Sequence, residues 1–184
     1  MALHTLQLAA DQAPSRTAVD RVERLFERHH ADVYRWALRY TAGDGALAED
    51  VVQEVFVALL KTVDRLQDDD DLARWLYRVT ANRCLTVLRR RQVRTTVLRA
   101  LRVAEPTAHV VDDRIAARDT LARVFEAMAE LPPKERVVFT MLHVDGLRHT
   151  DIARALGYSK GYVSKLVQRA TQRIRALGYE VSDD

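Results

Sequence analysis

The chain has 184 residues, of which 48% are apolar, and a net charge of +3. This length and apolar content fit one helical or mixed domain or two small ones with real hydrophobic cores. Cys84 is the single cysteine, which excludes an internal disulfide and a cysteine-based zinc site. No stretch approaches the ~20 apolar residues that span a bilayer, and residues 1–16 lack the features of a signal peptide. We therefore expect a cytoplasmic protein without direct membrane insertion.

Charge is strongly segregated along the chain. Between Asp44 and Asp71 there are nine acidic residues against two basic ones. From Arg83 to Arg102 there are seven arginines and no acidic residue. An acidic surface followed by a basic one suggests two different partners.

The first two predicted elements are helices, because glycine and proline are scarce and apolar residues recur at three- and four-residue steps. The first helix is predicted over residues 17–41 and the second over 46–63, with Gly43 and Gly45 between them. The first would bury Val22, Leu25, Phe26 and Trp36 among others. We expect an all-α fold.

The second predicted helix carries a polar face. Asp50, Gln53, Glu54 and Val57 lie at i, i+3, i+4 and i+7, so they form one contiguous stripe, here called the acidic stripe. A solvated helix face is the simplest interpretation of such a stripe. Its carboxylates and amide would also suit pairing with arginines of a partner.

The third helix is predicted over residues 72–92 after a polar loop, Gln67 to Asp71. Its first half carries Leu72, Trp75, Leu76 and Val79, and Trp75 is expected in the core. Its second half is rich in arginine, which suits both the helix dipole and nucleic-acid phosphates. Residues 93–118, which include Pro106, are predicted to be a linker.

A second helical domain is predicted to begin near Asp119. Its first helix would bury Leu121, Val124, Phe125 and Met128, and a second helix would run from Pro133 to about Val144. The segment from His149 to Gln168 then has the pattern of a helix-turn-helix: Gly157 at the turn, Ser159 as N-cap, and a basic second helix. An amphipathic helical hairpin with a solvated basic face is the alternative.

Three motifs together resemble the extracytoplasmic-function sigma factors of bacterial RNA polymerase, members of the sigma-70 family. They are Ala48-Glu-Asp-Val-Val-Gln-Glu-Val-Phe56, then Arg74-Trp-Leu-Tyr-Arg-Val-Thr-Ala-Asn82 with Leu88-Arg-Arg-Arg91, and finally Leu131-Pro-Pro-Lys-Glu-Arg-Val-Val-Phe139 with the helix-turn-helix. The resemblance implies a tail (1–18), a region 2 domain (19–92), a linker (93–118), a region 4 domain (119–178) and a C-terminal tail (179–184).

The resemblance also implies roles for particular residues. The acidic stripe would dock on the clamp coiled coil of the polymerase's largest subunit. Region 2 would bind the −10 element, duplex and melted, through Arg78, Asn82, Arg83, Arg89, Arg90 and Arg91, with Asn82 beside a pocket for an unstacked base. Region 4 would bind the −35 element through Ser159, Lys160, Tyr162, Ser164, Lys165, Gln168, Arg169 and Arg173. Tyr162 stands where the family commonly has threonine.

The resemblance further implies an anti-sigma factor as a partner, although no residue of the sequence identifies one. We expect no catalytic residues, metal ligands or cofactor: His29 and His30 are adjacent and so do not share a helix face, and no nucleophile or phosphate-binding glycine motif occurs. The main alternative is a helix-turn-helix regulator that acts without joining polymerase. That alternative does not explain the acidic stripe followed by an arginine-rich helix.

Overall fold

The computed structural model of the protein describes residues 15–66, 68–100 and 116–181, and the regular structure among them is entirely helical. The all-α prediction is confirmed. In chain order the helices are α1 (Arg16–Tyr40), α2 (Gly45–Leu60), a 3₁₀ turn (Val63–Arg65), α3 (Asp69–Ala100), α4 (Ala116–Ala129), α5 (Pro133–His143), α6 (His149–Leu156) and α7 (Lys160–Ala176).

Helix ends follow the local chemistry of the sequence. The side chains of Ser15, Asp44 and Ser159 each accept a hydrogen bond from a backbone N–H in the first turn of α1, α2 and α7. Gly157 ends α6 with φ of 68°, a conformation that glycine adopts without a Cβ clash. The predicted turn and N-cap of the helix-turn-helix are therefore confirmed.

Helix α3 is longer than the sequence pattern predicted. It runs past Gln92 to Ala100, so the first part of the predicted linker is helical. The apolar periodicity weakens after Leu88, but no glycine or proline interrupts the helix, and arginine is a good helix former. The rest of that linker, with Pro106, lies outside the described residues except for its last three positions, which begin α4. Gln67 and residues 1–14 also lie outside them.

Helices α1, α2 and α3 pack around one core. Tyr40, Val55, Leu59 and Leu76 are among its fully buried side chains. Phe26, predicted to be buried, is 42% exposed. It packs edge to face with Phe56, and the centroids of the two rings are 4.8 Å apart. Its ring therefore rests on the rim of the core, which the periodicity of one helix alone cannot distinguish from the interior.

Helices α5, α6 and α7 form the second packed unit, with Val137, Met141, Ile152 and Val163 fully buried. The prediction for α4 was partly wrong. Met128 is buried as expected, but Leu121 and Val124 are 53% and 40% exposed. Ala127 lies in the small core with Phe139 and Ile174 instead. The apolar face that α4 packs against its neighbours is therefore narrower than the pattern indicated.

Arg136 holds the end of α4 against the start of α5. Its guanidinium donates to the carbonyl oxygens of Ala129 (2.7 Å) and Leu131 (3.2 Å), which the helix end leaves without intrahelical partners. Burial, and secondarily the nearby charge of Arg91, lowers the pKa of Arg136 to about 10.

The two units are packed together. The buried side chains of α5, α6 and α7 are continuous with those of α1, α2 and α3 in a single hydrophobic cluster. The sequence predicted two domains that a linker separates; it did not predict that their cores would join.

Candidate functional site

The acidic stripe lines a groove between α2 and α3 with a volume of about 860 Å³. All four of its residues contribute, and Asp50, Gln53 and Val57 are exposed. The groove brings the stripe together with apolar and basic side chains of α3. The residues that α3 contributes are Trp75, Val79, Arg83, Val87 and Arg90.

The acidic and basic surfaces meet inside this groove. Glu54 Oε2 lies 3.4 Å from Arg83 Nη1, and both side chains are about two-fifths exposed, at 39% and 43%. Such a pair is screened by solvent and adds little stability. Trp75 is half-buried on the groove wall, not in the core where the sequence favoured it. The groove therefore combines carboxylates, the cationic side chains of Lys61, Arg83 and Arg90, and an aromatic ring.

The residues predicted for the −10 element lie along α3. Arg78, Asn82, Arg89, Arg90 and Arg91 are exposed, and Arg83 is half-buried. Asn82 Nδ2 donates to the carbonyl oxygen of Arg78 (2.9 Å) in its own helix and to that of Ala155 (3.2 Å) in α6. Arg91 pairs with Asp44.

The residues predicted for the −35 element face outward from α7. Val163 and Leu166 are buried and Val167 is half-buried, so the packing face is as predicted. Ser159 is the N-cap of the helix. The residues on the outer face are exposed, except for half-buried Tyr162; the exposed ones are Lys160, Ser164, Lys165, Gln168, Arg169 and Arg173.

Lys134 joins this surface from α5 and was missed by the sequence analysis. Its ammonium donates to the hydroxyl of Tyr162 (3.0 Å) and lies 5.2 and 5.7 Å from the ring centroids of Tyr162 and Tyr158. The two rings pack edge to face at 5.2 Å. No local pattern links residues 134 and 162, because only the crossing of α5 and α7 brings them together.

Arg173 has a partner within its own domain. Its Nε lies 2.9 Å from Oε2 of Glu135, whose side chain is only 7% exposed. A buried carboxylate needs such a counter-charge, so Arg173 stabilises the contact of α5 with α7. Its predicted contact with DNA remains a prediction.

Within residues 15–66, 68–100 and 116–181, no three histidine, cysteine, aspartate or glutamate side chains are grouped as a metal site requires. None of the helices in those ranges is long and apolar enough to cross a membrane.

Comparison with known proteins identifies the family. Residues 25–94 match the model of Sigma-70 region 2, and residues 121–174 match that of Sigma-70 region 4. The ECF RNA polymerase sigma factor SigM of Mycobacterium tuberculosis is 33% identical over 178 residues, which cover 94% of this chain and 83% of SigM. The chain belongs to the ECF sigma factor family. SigL of the same species is 32% identical to this sigma factor over 152 residues, covering 82% and 85% of the two chains.

Solved structures resemble this sigma factor as a whole. CnrH, in complex with the cytosolic domain of CnrY, is 26% identical with a TM-score of 0.54, covering 85% of this chain and 86% of that one. RpoE from Bartonella quintana, in complex with the anti-sigma factor NepR, is 18% identical with a TM-score of 0.59, covering 84% and 94%. The second likeness supports the fold alone.

Proposed function

We propose that this sigma factor docks on core polymerase through the acidic stripe, reads the −10 element with α3 and the −35 element with α7, and promotes promoter melting. The observation that carries the proposal is that one chain presents an acidic stripe on α2 and two separate basic helices. The DNA-binding residues and the domain limits, 19–92 for region 2 and 119–178 for region 4, are part of this proposal. We assign no catalytic step, metal or cofactor to it and place it in the cytoplasm with the polymerase.

The acidic stripe suits a basic coiled coil. Asp50 and Glu54 offer carboxylates that can accept paired hydrogen bonds from arginine, which would set the orientation of the partner. The side chain of Val57 is 55% exposed and offers an apolar contact to the partner helix. An exposed valine beside exposed carboxylates is a common composition for the edge of a protein interface.

The two basic helices would act differently on DNA. The arginines of α3 would neutralise phosphates, which gives affinity without sequence information. The amide of Asn82 has donor and acceptor atoms that can pair with the edge of an unstacked base. On α7, Lys160, Lys165 and Gln168 can reach base edges in the major groove.

A helix-turn-helix regulator that never joins polymerase is a weaker candidate, because it leaves region 2 and its groove without a role. We propose in addition that an anti-sigma factor binds this protein, since its structural relatives were solved with CnrY and with the anti-sigma factor NepR. Charge on both the groove and the basic helices gives such a partner surfaces to cover.

In vitro transcription tests the proposed function. Core polymerase plus this protein should give discrete transcripts whose start sites share −35 and −10 sequences, and core polymerase alone should give none of them. Sequencing the 5′ ends identifies both elements. DNA binding without any new start site would contradict the proposal and favour the regulator.

Arginine and asparagine variants of α3 should affect different steps of initiation. Removing Arg89 and Arg90 should weaken holoenzyme binding to every promoter and reduce the log–log salt dependence by about one unit per lost phosphate contact. Asn82→Ala should instead lower open-complex formation by about 1–3 kcal/mol at −10 sequences with the matching base. Permanganate footprinting on preformed holoenzyme measures melting. A mild, sequence-independent defect of Asn82→Ala would contradict base capture.

A further inference from the structure

Asp145 joins the two domains. It lies in the turn between α5 and α6, and its carboxylate reaches across to α1 and α3. Oδ2 accepts hydrogen bonds from the hydroxyls of Tyr77 (2.6 Å) and Tyr40 (2.8 Å), and Oδ1 accepts one from Arg39 (2.6 Å). These three partners all belong to region 2, whereas Asp145 belongs to region 4.

The cluster is buried and chemically matched. The side chain of Asp145 is 8% exposed, Tyr40 is fully buried, and the two tyrosine hydroxyl oxygens lie 2.7 Å apart. Burial raises the pKa of both tyrosines well above the usual value, so each keeps its proton. Tyr77 donates to the carboxylate, and Tyr40 shares its one hydrogen between the carboxylate and the Tyr77 hydroxyl. Breaking a buried charged group away from such partners costs far more than breaking an exposed ion pair.

Further contacts close the same interface around this cluster. The Phe125 ring of α4 covers the turn between α1 and α2 so tightly that a Cβ on Gly43 would lie 2.9 Å from it. Arg89 donates to the Tyr158 hydroxyl (3.0 Å), and Asn82 to the Ala155 carbonyl (3.2 Å). The helix-turn-helix thus lies directly against α3.

In this arrangement the side-chain donors of Asn82 and Arg89, which are proposed to bind promoter DNA, are bonded within the protein. The amide hydrogens of Asn82 that bond to the carbonyl oxygens of Arg78 and Ala155 cannot bond to a base at the same time. Asp50, Gln53 and Val57 remain exposed in the same arrangement. A polymerase could therefore dock on the closed protein, whereas base capture by the Asn82 amide would first require its bond to Ala155 to break.

We propose that Asp145, with Arg39, Tyr40 and Tyr77, forms a latch that holds the free sigma factor closed, with the Asn82 amide bonded to its own helix-turn-helix. The inference deepens the proposed function and rests on it for the role of Asn82. Opening of the latch then precedes capture of the −10 element. The latch thus lowers the affinity of the free protein for the melted −10 element without any second protein.

Single-molecule Förster resonance energy transfer on the full chain, which reports the distance between two dyes, tests the latch. Cysteines replacing exposed Asp64 and Glu180 would carry the dyes, since burial raises the pKa of the Cys84 thiol and keeps it unreactive. The otherwise unchanged protein should give one high-transfer population. Asp145→Ala should shift it to low transfer with unchanged helical circular dichroism, and Tyr77→Phe should do so in part.

Two further variants test whether the opening is specific to the latch. Asp151→Ala removes a carboxylate of region 4 whose partners, Arg148 and Arg154, are in the same domain, and should leave transfer unchanged. Adding Tyr77→Phe to Asp145→Ala should open the protein no further, because the two groups act in one cluster. High transfer in Asp145→Ala, equal to that of the unchanged protein, would overturn the latch.

Binding of free protein to a single-stranded −10 oligonucleotide tests the competition between Ala155 and DNA for the Asn82 amide. Because apparent affinity scales with the fraction of protein that is open, Asp145→Ala should bind about ten-fold more tightly. Opening without any gain in affinity would overturn this competition. The role of Asn82 itself is judged separately, by open-complex formation on preformed holoenzyme, so the two failures are distinguishable.

Discussion

Replacing Asp50 and Glu54 together with lysine is expected to abolish holoenzyme formation while leaving the helical fold intact. Both residues lie on the groove surface of α2 and neither is part of the core. Opposing like charges across an interface costs several kcal/mol, and each 1.4 kcal/mol is about ten-fold in affinity. We therefore expect the affinity for core polymerase to fall by more than about 100-fold.

The measurement is competition for core polymerase against the unmodified sigma factor. Glu23→Lys with Glu27→Lys is a matched control, because these exposed residues have the same spacing on α1 and the same change of charge. Asp50→Asn with Glu54→Gln should reduce the affinity for core polymerase by less. Arg83 then loses its partner Glu54 but meets no new positive charge. Core binding that equals that of the control would refute the docking assignment.

Exchanging Lys160, Tyr162, Lys165 and Gln168 for the residues of a related sigma factor is expected to change −35 preference and leave −10 preference unchanged. The four side chains lie outside the packing face of α7, which Val163 and Leu166 occupy. A good bidentate base contact is worth about 1–3 kcal/mol of discrimination, so preferred bases should change by about 10- to 100-fold.

Base-substitution profiling of both promoter elements measures this exchange. Gln168→Ala and Gln172→Ala form a matched pair: both are exposed on α7, but Gln172 lies one turn farther from the N-terminal end that enters the major groove. Only Gln168→Ala should alter the profile. Lys134→Ala should alter it through Tyr162, whose hydroxyl Lys134 holds. An unchanged profile after the full exchange would assign −35 specificity to DNA shape.

Much of the fold could be predicted because its signals are local. The N-cap Ser159, the turn at Gly157 and the stripe on α2 depend on residues within about two helical turns of one another. Where the signal weakened the prediction failed, as at the end of α3. Periodicity also could not tell a core position from a rim position, so Phe26, Leu121 and Val124 were wrongly expected to be buried.

The candidate site divides in the same way. The exposed face of α7 and the acidic stripe follow from helical spacing, and both lie on the surface as expected. Trp75 could not be placed, because a tryptophan among leucines serves equally as core or as groove wall. Lys134 could not be found at all, since its partners Tyr158 and Tyr162 lie on the far side of the helix-turn-helix motif in sequence.

The sequence by itself determined the helices, their caps, the family and the separation of acidic from basic surfaces, because short-range spacing and composition encode each of these. Only the tertiary structure decided that the two surfaces share a groove and that the domains close on each other. Asp145 meets Tyr40 across 105 residues and Asn82 meets Ala155 across 73. Such contacts depend on how whole helices pack, which no periodic pattern within one helix specifies.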